Sequence, residues 1–176
     1  MPRFAPLAVA AAIISLLCVA APAGAADLVL PDGTQRPQPY QAWTDASLVP
    51  TVPGTVTLDL GGCDELMACA PEGSTTISLA GEWANPHVLL HELGHLFDDA
   101  MPASVRTRFQ SIMRRRGTWA AAASRKPANE QFAEAYSLCA RHASIKERYS
   151  GGYDYSPTPA QHRAVCALIR SAAPAR

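Results

Sequence analysis

The stretch NPHVLLHELGHLFDDA, residues 85–100, contains a helix start, an apolar helix and a pair of histidines. Asn85 followed by Pro86 is typical of a helix start, because asparagine caps the first turn and proline fits the first helical position. His91 and His95 are four residues apart, so a helix places both imidazoles on one face. Apolar residues fill most of the remaining positions, which predicts that this helix is buried.

Within this helix, the residues His91-Glu92-Leu93-Gly94-His95 have the HExxH spacing. Two imidazoles on one helix face can bind a single Zn²⁺, and burying them without such a partner would be costly. Glu92 lies one step round the helix, where it can reach a metal-bound water more easily than the metal. Because zinc lowers the pKa of that water toward about 7, a carboxylate can accept its proton. The spacing therefore predicts Zn²⁺ as cofactor, His91 and His95 as ligands, and Glu92 as general base.

A catalytic zinc site needs a third protein ligand and an open position. The extended metzincin pattern is excluded, because Asp98 and Met101 stand where it requires glycine and histidine. The next candidates lie in NEQFAEAY, residues 129–136, where Glu130 and Glu134 share one helix face. Either glutamate could bind the metal while the other accepts the N–H of a ligand histidine and orients its ring. The apolar residues around them favour this interpretation over a pair of exposed helix glutamates.

Together, HELGH and NEQFAEAY resemble the gluzincins, which are metallopeptidases with HExxH and a downstream glutamate. The N-E-x-F-A part is similar to the glutamate helix of zinc aminopeptidases. The E-x-F-A-E-A-aromatic form is similar to lethal-factor-type toxin proteases and the related Pro-Pro endopeptidases. This resemblance covers two predicted helices and implies a zincin-like fold with peptidase activity. It also implies that Glu130 is the third ligand and that Glu134 orients a ligand histidine.

Lethal-factor-type proteases have a tyrosine shortly before the ligand glutamate that can stabilise the oxyanion. The corresponding stretch, residues 120–124, contains no tyrosine. Other hydrogen-bond donors further along the chain could take this role: Tyr149, Tyr153, Tyr155 and His142. The segment GGYDY, residues 151–155, is rich enough in glycine for a mobile flap, and the alternative is a surface loop anchored by its aromatic residues.

The rest of the chain predicts a small α+β domain. Residues 55–60 alternate and are rich in β-forming types, and residues 74–79 form a second strand candidate. Three further helices are predicted after the HExxH helix, at 103–116, 127–144 and 158–172. By resemblance, residues 46–176 form the zincin-like metallopeptidase domain. In gluzincins, a strand in the place of Thr75–Leu79 pairs with the substrate backbone.

The beginning of the chain is typical of an exported protein. Residues 1–26 contain the positive Arg3, an apolar stretch and small residues at the end, which predicts a secretory signal peptide. The apolar stretch is short for the alternative, an uncleaved membrane anchor. Residues 27–45 are rich in proline and predict an irregular N-terminal arm. We therefore expect a secreted, extracellular protein without stable membrane association after cleavage.

An exported chain is expected to oxidise its cysteines. Of the five cysteines, Cys18 lies in the predicted signal peptide. The remaining four allow more than one connectivity. We predict Cys63–Cys69, which closes a local loop, and Cys139–Cys166, which joins two later helices.

The charges of the chain balance, with 15 Lys and Arg against 15 Asp and Glu. No strong attraction to nucleic acid or anionic membranes follows from this balance, and the arginines within 106–116 are interpreted as a solvated helix face. The leading hypothesis is a monomeric secreted zinc peptidase acting on a peptide or protein substrate. Two alternatives stay open: a non-catalytic secreted binding protein stabilised by zinc, and a zinc amidase acting on cell-wall peptides.

Overall fold

The computed structural model describes residues 25–64, 66–120 and 127–172. The predicted signal peptide lies outside them except for Ala25 and Ala26, and so do residues 121–124 of the stretch compared with the lethal-factor tyrosine. The described elements, in chain order, are β1 (Asp27–Val29), α1 (Tyr40–Asp45), β2 (Thr55–Asp59), β3 (Ala68–Cys69), β4 (Thr76–Leu79), α2 (Pro86–Ala100), α3 (Ala103–Met113), α4 (Ala128–Arg141) and α5 (Pro159–Ser171). This content confirms the predicted α+β class. In the described ranges, no helix combines the length and the hydropathy needed to cross a membrane.

The four strands form one mixed sheet in the order β1-β2-β4-β3. β1, β2 and β4 are parallel, whereas β3 runs antiparallel to β4 with Cys69 opposite Ser78. The predicted strand 74–79 corresponds to β4, which is hydrogen-bonded to β2 on one side and to β3 on the other. The expectation that this strand pairs with a substrate is therefore wrong, because β4 is paired on both sides and the outer strands are β1 and β3.

Residues 27–45, predicted to be an irregular arm, instead contribute β1 and α1 to the domain. The side chain of Gln41 on α1 is buried and joins the two elements. Its Oε1 accepts the Leu28 N–H at 2.8 Å, and its Nε2 donates to the Ala26 carbonyl at 2.9 Å. The prediction is wrong because a three-residue strand shows almost no alternation, and its stability comes from pairing with β2, which is distant in sequence.

Helices α2 and α5 begin at their predicted positions because side-chain caps define their starts. Asn85 Oδ1 accepts the Val88 N–H at 3.1 Å, as expected for the cap of α2. Thr158 and Gln161 form a reciprocal capping box at the start of α5.

Two helices end earlier than predicted. α3 ends at Met113 rather than at Arg116, because Arg114 adopts a left-handed conformation with φ of 55°. α4 ends at Arg141 instead of continuing to residue 144, and the next residue is extended. Neither change moves the residues that form the site.

The core lies between the sheet and the helix pair α2 and α4. Leu58 and Ile77 from the strands are fully buried. The Phe97 ring of α2 packs against Tyr136 and Phe132 of α4, with ring centroids 5.3 and 6.4 Å apart. Burial of these side chains stabilises the fold and holds the two helices side by side.

Gly94 of the HExxH segment faces α4, with no room for a side chain between the two helices. A Cβ at this position would lie 2.9 Å from Ala133 Cα and 3.0 Å from Tyr136 Cβ. Real Cβ atoms do not approach other heavy atoms so closely. The missing side chain therefore sets the distance between the helix that carries the histidines and the helix that carries the glutamates.

Both predicted cysteine pairs lie at disulfide distance, which confirms the predicted connectivity. Cys63–Cys69 connects β3 to the turn that precedes it, with Cα atoms 5.9 Å apart. Cys139–Cys166 connects α4 to α5, with Cα atoms 5.3 Å apart. The second bond braces the helix that carries Glu130.

Candidate metal centre

Helices α2 and α4 bring His91, His95 and Glu130 together. The Nε2 atoms of His91 and His95 lie 3.2 and 3.3 Å from the same oxygen, Oε2 of Glu130. A tetrahedral Zn²⁺ site with bonds of about 2.0–2.1 Å would separate its ligand atoms by about 3.3 Å. Two imidazole nitrogens and one carboxylate oxygen at this spacing could hold a metal ion.

The carboxylates around this group favour a positive charge where the imidazoles meet. Burial alone would lower the pKa of His91, but hydrogen bonds to Glu130 and Glu134 outweigh it and raise the pKa to about 9. Burial likewise would raise the pKa of Glu130, but hydrogen bonds from His91 and His95 lower it to about 2. A metal cation would be favoured by the same negative charges that favour the proton on His91.

Glu92 is buried and lines the same cavity as the two histidines, but it is not part of the group with convergent donor atoms. Burial raises its pKa, and the charges of His91 and His95 oppose this effect. A carboxyl group with a raised pKa accepts and returns protons more readily near neutral pH. The placement of Glu92 is therefore compatible with the predicted base.

Glu134 lies one turn after Glu130 on α4, almost fully buried, and its two oxygens face different partners. Oε2 lies 3.4 Å from His91 Nδ1. Oε1 accepts the Gly152 N–H at 3.1 Å and the Tyr149 hydroxyl at 3.3 Å. Burial would raise the pKa of Glu134, but hydrogen bonds from histidines lower it well below its usual range. Its contact with the far nitrogen of His91 suits a residue that orients the ring.

Tyr153 is the oxyanion-donor candidate that stacks on His91. Its ring stacks on His91 with centroids 5.7 Å apart and an interplanar angle of 26°. The backbone is held in a left-handed conformation, with φ of 53°, and Gln131 Nε2 donates to its carbonyl at 2.7 Å. Burial and the charges of Glu130 and Glu92 raise the pKa of Tyr153 to about 12, so its hydroxyl keeps its proton.

The other three donor candidates lie elsewhere. Tyr155 is fully buried and packs near Phe109, with ring centroids 6.5 Å apart, so it does not line the cavity. His142 follows the end of α4 and is likewise not part of the cavity wall. Tyr149 donates to Glu134. Tyr155 and His142 are thus not brought to the cavity, since the first is buried in the core and the second is exposed at the end of α4.

An open cavity of about 590 Å³ lies over the histidines. One wall is β3 with the turn before it, where Leu66 and Met67 expose 61% and 51% of their surface. Tyr153 also lines the cavity. The cavity is therefore bordered by the edge strand β3 and by exposed apolar side chains.

A second group of residues has metal-ligand spacing: Cys139, His162 and Cys166. Its two sulfur atoms are joined in the disulfide between α4 and α5, so they are not available as thiolate ligands. The fully buried His162 donates from Nε2 to the His142 carbonyl at 2.9 Å. We assign this group a structural role.

The donor atoms of His91, His95 and Glu130, together with the cavity above them, form a candidate cation site. Comparisons with protein-family models, curated proteins and solved structures find no match. The function is therefore inferred from the donor atoms, their spacing and the walls of the cavity.

Two residues that the sequence analysis did not single out shape the site. Gly94 sets the spacing of α2 and α4, and only its tertiary contacts reveal this. His87 lies one turn before His91 and contacts Glu134, with Nε2 3.2 Å from Oε2. A sequence signal for His87 does exist, because His87, His91 and His95 recur at four-residue intervals and so share one helix face.

Proposed function

We propose that this protein is a secreted zinc-dependent peptidase with a gluzincin-type site. The observation that carries the proposal is the convergence of His91 and His95 on one oxygen of Glu130, beside Glu92, in an open cavity. Two histidines and one glutamate form a known ligand set of catalytic zinc sites. The resemblance of the two helical segments to gluzincins supports the same assignment.

In such a site, bound Zn²⁺ would polarise the substrate carbonyl and lower the pKa of a water toward about 7. Glu92 accepts the proton of the attacking water and returns a proton to the leaving amine. Burial raises the pKa of Glu92 toward the range in which one carboxyl group can both accept and return a proton. Such general acid and base help contributes roughly 10²–10⁴-fold to the rate.

Tyr153 donates a hydrogen bond to the negative charge that develops on the substrate carbonyl oxygen. Its ring is held against His91, and its pKa of about 12 keeps the hydroxyl protonated at neutral pH. A hydrogen bond to Glu130 is among the causes of that raised pKa, so the hydroxyl lies beside the proposed ligand carboxylate, where an oxyanion donor is needed. This role replaces the tyrosine that lethal-factor-type proteases carry before the glutamate.

The substrate would bind along β3. Within the described residues β3 pairs only with β4, and it lines the cavity beside the histidines. An extended peptide can add to such an edge as another strand, with main-chain hydrogen bonds providing the affinity. The exposed Leu66 and Met67 then favour substrates with an apolar side chain at the adjacent position.

A closed structural zinc site, the alternative function, would need a fourth protein ligand. Asp98 instead pairs with Arg106, with Oδ1 2.8 Å from Nε, and accepts a hydrogen bond from Trp119. Asp99 accepts the Gly73 N–H at 2.8 Å. These contacts support an open fourth position and thus favour catalysis.

The two disulfides support export, because such bonds persist mainly in oxidising compartments. The predicted signal peptide favours the same location. A peptidase and an amidase would use the same metal chemistry at this site. They differ in substrate, so substrate panels separate them.

The test is to incubate zinc-loaded protein with a diverse peptide library and, in parallel, with a panel of cell-wall fragments. We expect cleavage of peptides that a chelator abolishes and added Zn²⁺ restores. Glu92→Gln should keep its zinc and lose roughly 10²–10⁴-fold in rate. The matched control is Glu147→Gln, which changes an exposed glutamate outside the cavity.

If the protein cleaves cell-wall fragments and no library peptides, the peptidase hypothesis fails and the amidase hypothesis takes its place. A fully zinc-loaded protein that cleaves neither panel would refute an enzymatic role. If Glu92→Gln loses zinc together with activity, Glu92 has been given the wrong role.

A further inference from the structure

His87 connects the candidate metal centre to an arginine at the far end of α4. Its Nδ1 lies 2.8 Å from Arg141 Nη2, and its Nε2 lies 3.2 Å from Glu134 Oε2. Arg141 is also anchored on its own helix, because its Nε donates to the Ser137 carbonyl at 3.1 Å. The guanidinium is thus held with one donor aimed at His87.

These contacts determine which nitrogen of His87 carries the proton. A guanidinium can only donate hydrogen bonds, so Nδ1 of His87 must accept from Arg141. The proton of the neutral ring then resides on Nε2, which donates to Glu134. Arg141 therefore makes His87 a donor toward the carboxylate.

The same reasoning extends to His91. Oε2 of Glu134 faces both His87 Nε2 and His91 Nδ1, at 3.2 and 3.4 Å. A carboxylate accepts from both rings, so Nδ1 of His91 carries a proton, and a metal that displaces the second proton binds at Nε2. That Nε2 is the atom that faces Glu130 and the neighbouring histidine.

We propose that His87 is a positioning residue and that Arg141, His87 and Glu134 form a hydrogen-bonded relay. The relay holds Glu134 against His91 and selects the tautomer of His91 whose Nε2 can bind the metal. This inference rests on the proposed function, because His87 and Arg141 position a metal ligand only if His91 binds the metal. Groups that support a ligand in this way commonly change metal affinity by about 10–100-fold when removed.

The test compares the zinc affinities of His87 variants by chelator competition and records the absorption spectrum of Co²⁺ bound in place of zinc. His87→Gln keeps an N–H donor near the position of Nε2, and His87→Ala removes it. We expect His87→Ala to lose about 10-fold in affinity and to change the cobalt spectrum, with rescue of both by His87→Gln. Arg141→Met should weaken binding in the same direction, while the control Arg108→Met, at an exposed site on α3, should not.

A double-mutant cycle separates the relay from general structural support. If His87 acts through Glu134, adding His87→Ala to Glu134→Ala should cause little further loss of affinity. Losses that add fully, or a His87→Ala protein with unchanged zinc affinity and cobalt spectrum, would overturn the relay. If the wild-type protein binds neither Zn²⁺ nor Co²⁺, the proposed function itself fails, and this outcome is distinct from failure of the relay.

Discussion

The contact of Gly94 on α2 with α4 allows a test in which no proposed ligand is changed. In Gly94→Ala, the new Cβ would start 2.9 Å from Ala133 Cα and 3.2 Å from the Ala133 carbonyl oxygen. Ordinary contacts begin near 3.4 Å, so α2 and α4 must separate by about 0.5 Å or more. The neighbouring atoms belong largely to the α4 backbone and cannot rotate away.

Two effects on stability partly cancel. Overpacking lowers the free energy of unfolding by about 1–3 kcal/mol, whereas the higher helix propensity of alanine raises it by about 1 kcal/mol. The metal-free variant should therefore lose only about 0–2 kcal/mol in the free energy of unfolding. The metal centre should be affected more, because its ligands come from both helices and metal sites tolerate displacements of only about 0.2 Å.

We expect Gly94→Ala to weaken zinc binding by about tenfold or more, which corresponds to about 1.4 kcal/mol less stabilisation by saturating zinc. Chelator competition gives the affinity, and thermal unfolding with and without zinc gives the linked stability. Gly81→Ala is the matched control, because a Cβ there meets nothing within 4 Å. Zinc affinity equal to that of the wild type in Gly94→Ala would refute the argument that this glycine sets the spacing of the ligands.

Three further predictions follow from the site and its supports. At limiting metal, purified Glu130→Ala should contain little zinc. Glu134→Ala should stay loaded but bind zinc about 10–100-fold more weakly. If instead Glu134→Ala loses its zinc and Glu130→Ala stays loaded, the roles of the two glutamates are exchanged. Replacing Cys139 and Cys166 by serine opens a bridge with a sequence separation of 27 and should cost about 3.5 kcal/mol in denaturant unfolding. Without metal, the raised pKa of His91 contributes stability that is complete below about pH 6.5 and is lost as the pH rises through about 9. Urea unfolding of chelator-treated protein should show this decline between those pH values, whereas a flat profile would contradict it.

Local patterns in the sequence were sufficient for the four helices from α2 to α5, apart from the ends of α3 and α4, and for the histidine pair. The spacing of His91 and His95 places them on one face of any α-helix, and Asn85 caps that helix through atoms three residues away. The α+β class and the two inner strands, β2 and β4, follow from similarly short-range patterns. Such signals can be predicted because the interacting groups are near each other along the chain.

Contacts between distant segments decided the rest of the fold. The arm at 27–45 becomes β1 and α1 only because β2 and Gln41 provide partners for its backbone. β3 is too short for its sequence pattern to predict a strand. Its pairing with β4 puts it at the edge of the sheet. The prediction that β4 pairs with the substrate was therefore wrong, although the prediction of α2, the helix that follows it, was correct.

The same division holds at the candidate site. The sequence alone determined that Glu130 and Glu134 share a helix face, but it left them equivalent, because a helix period does not specify what that face meets. Packing of α4 against α2 places Glu130 beside both Nε2 atoms and Glu134 behind the ring of His91. The helical period determines which side chains of one helix point the same way. The distance between α2 and α4 depends instead on the contact of Gly94 with α4, which no local sequence pattern reveals.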